Sequence, residues 1–281
     1  MEIQVADQRI LVFSDQISFD DAKKKSWEKK VSAFGAINQV TSLFSRPKDD
    51  DFELTYSEHR YQPFWHVAAR AKYVYDRTND YQIPASTKEV KAVTYESTKF
   101  EVTNGHFHFP VVEHCIQEES DEVFVEGVGG KENKTLKDYL SLSPMVVKGT
   151  VEKIVGKEAI IVPPQSRVSA IMRDSLSKMI KGIQADTIHE EHVEVLCVDL
   201  YYHPVYAFQY SWKSKGKDAI VEVDGLTGAV TTGSRVFSEY MGKVLDPNFL
   251  FDVGADAAGL LIPGGSIAVK VAKKYIDSKK K

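Results

Sequence analysis

The segments FELTYSEHRYQPFWHVA, Phe52 to Ala68, and VEVLCVDLYYHPVYAFQ, Val193 to Gln209, repeat one pattern. Superposing Pro63 on Pro204 matches Glu53 with Glu194, Tyr61 with Tyr202, Trp65 with Tyr206 and Val67 with Phe208. Alternating aromatic and β-branched residues read as strands, and the shared Tyr-x-Pro reads as a reversal between strands near 52–60 and 64–76. An internal duplication of this kind proposes an architecture and names no chemistry.

Working outward, residues 2–13 alternate around Asp7 and Gln8 as a hairpin. Ser18 and Asp21 then form a cap signal for a helix running to about Leu43, with Phe19, Trp27, Val31 and Phe34 on its apolar stripe. Short strands are expected over 90–126, where Asn104-Gly105 is the strongest tight-turn signal because both residues tolerate positive φ. A short helix is expected near 133–142. Ser166 opens a second long helix on which Val168, Met172, Leu176, Met179 and Ile183 recur at helical spacing, and the second Tyr-x-Pro pattern follows it. The resulting expectation is an α+β fold: antiparallel sheet meanders with helices packed on one face, an internal duplication and a helical C-terminal arm. Its parts would be an N-terminal half over 1–160, a second half over 161–245, and a Gly-rich segment with a basic helix over 246–281.

Composition narrows the class. The chain has 281 residues, 43% of them hydrophobic, with 14 Phe, 13 Tyr and 3 Trp, enough apolar surface for a sizeable core. A formal charge of −4 argues against a surface tuned to nucleic acid. The N-terminus MEIQVADQRILVF has no signal-peptide pattern, and Cys115 and Cys197 both sit in strand-like runs, which predicts reduced core thiols and a cytoplasmic protein.

The stretch PVYAFQYSWKSKGKDAIVEVDGLTGAV, Pro204 to Val230, resembles the PepSY-type hairpin: an alternating strand, a polar turn, and a close in which Asp224, Thr227 and Gly228 carry the likeness. The resemblance covers about a tenth of the chain. It implies a small binding or inhibitory module and brings no catalytic residues. The motif also has a structural rationale, since Asp224 can bond the turn backbone and Gly228 can take positive φ. The first Tyr-x-Pro segment lacks a V-D-x-x-T-G close.

Catalytic motifs fail at named residues. HEEHVE, His189 to Glu194, would need histidine at position 193 or 188 to form a zinc-hydrolase helix, and Val193 and Ile188 stand there. GVGGKENKT, Gly127 to Thr135, would need Gly at 125 and Ser or Thr at 132 to form a phosphate loop, where Val125 and Glu132 stand. The lysines and Trp27 of KKKSWEKK fit the solvated and apolar faces of one helix better than a nucleic-acid patch.

Three readings of function follow. The first is a non-enzymatic binding or assembly protein, a scaffold or adaptor that engages a protein partner, or a second copy of itself, through the C-terminal arm. The second is a metal-binding protein or metal-dependent enzyme that uses the histidines concentrated between His59 and His114: His106 and His108 share a strand face and, with His114, form a candidate Zn²⁺ set. The third is peripheral membrane docking by the basic C-terminal helix, through Ile267, Lys270, Val271, Lys273, Lys274 and Tyr275.

Overall fold

The computed structural model describes residues 2–35, 47–156, 158–180 and 182–232. The strands are β1 (Glu2–Val5), β2 (Gln8–Val12), β3 (Phe52–Pro84), β4 (Ala92–Tyr95), β5 (Thr98–Glu101), β6 (His106–Glu126), β7 (Met145–Val146), β8 (Ile160–Ile161), β9 (Thr187–Trp212), β10 (Lys217–Asp224) and β11 (Val230–Thr232). The helices are α1 (Phe19–Ala33), α2 (Glu152–Val155) and α3 (Val168–Met179), with a 3-10 segment over Lys134–Ser141.

The expected α+β fold, with helices on one face of antiparallel meanders, is overturned. Among the described residues strand exceeds helix by 52% to 21%, and nine strands form one large mixed sheet. The expected arm over 246–281 and the end of the first helix beyond Gly35 lie outside the described residues.

The error has a physical source. Tyr-x-Pro is not a reversal: β3 runs through Pro63 and β9 runs through Pro204. Nor do residues 2–13 form a hairpin. β1 and β2 both pair in parallel with β9, at His192–Val195 and Val198–Tyr202. β8 likewise pairs in parallel with β3, Ile161 beside Tyr61.

A strand tolerates an internal proline only where its missing N–H is accommodated. Opposite Pro204 stands Gly225, whose N–H donates to the Pro204 carbonyl at 2.8 Å. Proline cannot return the second bond of such a pair, so the Gly225 carbonyl is left available and accepts from Gln16 N–H at 2.9 Å, just ahead of α1. The first copy repeats this arrangement: Gly127 N–H donates to Pro63 at 2.8 Å, and the Gly127 carbonyl accepts from Gln165 N–H at 2.7 Å and Ser166 N–H at 3.0 Å, just ahead of α3.

Further contacts match between the copies. Phe13 N–H donates to Tyr202 at 2.9 Å and Val162 N–H to Tyr61 at 3.0 Å. Tyr206 Oη donates to the Ile17 carbonyl at 3.0 Å, and its counterpart Trp65 donates from Nε1 to the Ser166 carbonyl at 3.0 Å. Both closing turns place a glycine at positive φ, Gly130 at 67° and Gly228 at 71°. The first copy therefore does have a close, Val125-Glu126-Gly127-Val128-Gly129-Gly130, matching Val223-Asp224-Gly225-Leu226-Thr227-Gly228. Each Pro–Gly pair holds the loop that leads into the helix preceding the other copy's Tyr-x-Pro strand.

The chain divides into two compact units. One comprises Met1–Ala6, Ala68–Glu122 and Arg173–Cys197. It contains the β4–β5 hairpin, the Asn104-Gly105 turn with both residues at positive φ as the sequence indicates, and the Tyr73 hydroxyl donating to the Met179 carbonyl at 3.2 Å.

The other unit comprises Asp7–Val67, Val123–Met172 and Val198 onward, and holds both Pro–Gly pairs. One of its clusters joins Phe13, Phe64, Phe124, Tyr201 and Leu226. The other seats α1 on β9 and β10: Ala22 packs with Tyr206, Phe208, Tyr210, Val221 and Val223, and Trp27 closes its edge with its ring 5.6 Å from Tyr210. Ser18 caps α1 as the sequence indicates, accepting from Asp21 N–H at 3.1 Å.

The Pro–Gly pairs leave no room for a methyl group. A Cβ on Gly127 would lie 2.6 Å from Pro63 Cγ and O, and one on Gly225 would lie 2.8 Å from Pro204 Cβ, Cγ and O, whereas nothing lies within 4 Å of a Cβ on Gly182. Gly127→Ala and Gly225→Ala are each expected to lower stability by about 1–3 kcal/mol in urea denaturation, with Gly182→Ala within about 0.5 kcal/mol of the parent. Equal midpoints for all three variants would refute the role given to the pairs.

Candidate functional site

The middle residues of the two Tyr-x-Pro triplets, Gln62 and His203, line a cavity of about 340 Å³. Strands β3 and β9 supply Gln62, Pro63 and Phe64 and then His203 and Val205, while β10 adds Glu222 and Asp224 and β11 adds Thr231. The first closing turn and the 3-10 segment add Glu126, Val128, Asn133, Leu136 and Tyr139. The duplicated elements thus converge on it, with Glu126 and Asp224 as equivalent residues of the two closes.

Aromatic rings form one wall. His203 lies 5.3 Å from Tyr139 and 5.9 Å from Phe64, and Phe64 lies 6.1 Å from Tyr139, centroid to centroid. His203 is only 8% exposed, and its Nδ1 is buried without a hydrogen bond. Burial holds its pKa well below the usual imidazole range; Asp224 opposes the shift and Arg60 reinforces it.

The carboxylates have fixed partners. Asp224 Oδ1 accepts from Leu226 N–H at 2.7 Å and Thr227 N–H at 2.9 Å, and Oδ2 accepts from the Tyr139 hydroxyl. Asp224 and Gly228 therefore perform the turn-closing roles that the sequence assigns to them. Burial, then Asp224, pushes the Tyr139 phenol far above its ordinary range. Glu126 Oε1 accepts from Asn133 Nδ2 at 3.0 Å.

Glu222 pairs with Arg60, which is fully buried and also donates to Glu58 Oε1 at 2.7 Å. Tyr56 donates to the other Glu58 oxygen at 2.7 Å. With its amide oxygen turned toward Arg60, Gln62 accepts from Nε at 2.9 Å and Nη2 at 2.6 Å. A buried guanidinium needs this many acceptors to offset its desolvation.

A second polar cluster is specific to one copy. Asp15, in the loop before α1, accepts from Tyr61 at 2.8 Å and Tyr206 at 2.6 Å, and His59 Nε2 lies 2.8 Å from its Oδ1. Partial burial pushes the Asp15 carboxyl up, but His59 and Tyr206, aided by Tyr61, outweigh it and hold the pKa below the ordinary value. Burial and Asp15 raise both phenols. In the other copy Pro164 and Leu200 replace Asp15 and His59.

The predicted Zn²⁺ set is not brought together. His106, His108 and His114 are exposed on one face of β6, where an offset of six positions along the strand sets His108 and His114 roughly 20 Å apart. Each has its own neighbour: His106 Nδ1 lies 3.2 Å from the Asn104 carbonyl, His108 Nδ1 2.5 Å from Asp80, and His114 Nδ1 2.7 Å from Asp76. Asp76 is also 2.8 Å from His189, a β9 residue, and these two histidines lower its pKa. Nearby Glu113 is drawn down to about 2 by Asn79, Tyr81 and Arg77.

The predicted contact residues Ile267, Lys270, Val271, Lys273, Lys274 and Tyr275 lie outside the described residues. Among the described residues no helix is long and apolar enough to cross a membrane.

Sequence reasoning missed His203, Glu126 and Asp15. For Glu126 a signal existed, V-E-G-V-G-G beside V-D-G-L-T-G. For Asp15 there was none, because Tyr206 is remote in sequence.

The lowered His203 pKa has a signed consequence. An unfolded imidazole takes up a proton near pH 6.5 while the folded one resists it, so stability is full above that pH and falls as the pH drops below it. Chemical denaturation at pH 7, 6 and 5 is expected to lose roughly 1–3 kcal/mol, with His203→Phe flattening the profile. Asp15 contributes separately, and only at more acid pH, because its carboxyl titrates below its unfolded value. Parallel profiles for parent and variant would remove His203 from the account. Comparison with family models, with curated proteins and with solved structures finds no match for this chain.

Proposed function

We propose that this chain is a non-enzymatic binding protein whose duplicated strands enclose a small-molecule site, the cavity between Gln62 and His203. The observation that carries the reading is that both Tyr-x-Pro strands, with the 3-10 segment, converge on one concave space with an aromatic wall and convergent polar groups.

The direction of the pKa shifts supports binding over catalysis. General acid–base catalysis favours groups titrating near the working pH. Here the shifts run the other way: His203 moves down, Asp15 moves down, and Tyr61, Tyr139 and Tyr206 move up. We place this activity in the cytoplasm, where Cys115 and Cys197 would stay thiols. Engagement of a protein partner by residues 246–281 belongs to the proposal on sequence grounds alone.

The test is a thermal-shift screen of the full chain with a fragment set spanning cations, anions and neutral molecules. Hits are expected to raise the unfolding temperature, with stabilisation of about 2.7 kcal/mol at a hundredfold excess over Kd. They should be recovered unchanged and lose their effect in Thr231→Trp, which fills the cavity from an exposed position. Conversion of a hit into product would overturn the non-enzymatic reading.

A further inference from the structure

Resting on the reading of this cavity as a ligand site, we propose that its ligand is a small organic cation, an alkylammonium or related onium group. The lining contains three carboxylates, Glu126, Glu222 and Asp224, and no lysine or arginine. Arg60 stands behind it and is already divided between Glu58 and Glu222. His203, the remaining basic group of the lining, is held neutral by burial.

The carboxylates are not equivalent. Both oxygens of Asp224 are taken by backbone N–H groups and Tyr139, and Glu222 is committed to Arg60. Glu126 spends one oxygen on Asn133, and among the described residues no donor meets the other. It is therefore the counter-ion that a bound cation would meet.

Phe64, Tyr139 and His203 give the cation an aromatic wall. A ring face attracts an onium centre through its quadrupole, and more strongly where water is excluded. Two observations favour an organic cation over a bare metal ion. No three of the lining His, Asp and Glu residues bring ligand atoms within 4.8 Å of one another. A Ca²⁺ or Mg²⁺ ion takes six or more oxygens, whereas one free carboxylate oxygen and three rings suit a cation that carries its own apolar surface. The buried, unpartnered Nδ1 of His203 adds polar capacity that the protein's own groups do not use.

The experiment is isothermal titration of the full chain with tetramethylammonium and butylammonium chloride, and with sodium butyrate as the probe of opposite charge. Both cations should bind and butyrate should not. Glu126→Gln should weaken cation binding roughly tenfold or more, and at the exposed lining position Thr231→Lys should weaken it while Thr231→Glu does not. The Thr231 pair carries the test should Glu126→Gln fail to fold.

Butyrate binding without cation binding, abolished by Thr231→Trp, would overturn the cation assignment and leave the cavity as a site. Cation binding of unchanged affinity in Glu126→Gln and in Thr231→Lys would also overturn the assignment. Binding that survives Thr231→Trp, or no binding of either charge, would overturn the cavity reading itself.

Discussion

A proline has no N–H to give, and the prolines of the two Tyr-x-Pro triplets, each inside a strand, turn that deficit into the organising contact of this protein. At each, a glycine opposite donates its N–H and keeps its carbonyl for a third segment, the loop ahead of a helix. Neither residue type could be exchanged without loss. Any Cβ at Gly127 or Gly225 would collide with the proline ring, and a residue with an N–H at 63 or 204 would compete for the carbonyl that Gln165 or Gln16 now uses. Because the loop held by each pair leads into the helix preceding the other copy's Tyr-x-Pro strand, neither copy is complete in sequence order. Such exchange ties segments far apart in the chain to one another, a topology that folds slowly for its size.

The same geometry explains why a charge can be buried beside the cavity. Arg60 lies one residue before Tyr61 in the first copy, and its counterpart by the Tyr-x-Pro superposition is Tyr201. The duplication accounts for the strand, and divergence accounts for the charge. Removing one partner from a buried ion pair costs about 3–5 kcal/mol, more than the net worth of the intact pair, so once Arg60 was inside, Glu58 and Glu222 were constrained to stay with it. Glu222 is thereby fixed at the cavity wall for a structural reason, whatever the cavity holds.

The repeat itself was legible because its identities and aromatic classes coincide over a short window. Its meaning was not. Proline within alternating residues reads as a strand breaker, and only the partner glycine, 21 residues away in one copy and 64 in the other, shows that the strand continues. The larger separation comes from the outer stretches of β3 and β6, which lie between Pro63 and Gly127 and hide the first close. That close resembled a failed phosphate loop for a related reason: its glycines serve positive φ at Gly130 and close approach at Gly127, the same two properties a phosphate loop needs. Local signals fared better. The Ser18 cap and the Asn104-Gly105 turn depend on residues within three positions of each other, and both formed as written.

The histidines show where a sequence cluster differs from a spatial one. A shared strand face brings His106, His108 and His114 onto one line, but strand rise sets them apart, and nearby aspartates contact His108 and His114 one by one. His203 carries no such flag in the sequence, being a single residue between a tyrosine and a proline. What distinguishes it is its position in the repeat. The middle of a Tyr-x-Pro triplet faces the space between the copies, and the two copies place different groups there, an amide in Gln62 that serves Arg60 and an imidazole in His203 whose Nδ1 meets no hydrogen-bonding group among the described residues. A duplicated fold offers two equivalent positions at its internal junction. Once one is committed to structure, the other can change without breaking the scaffold, and at this junction the uncommitted position is the one beside the aromatic wall.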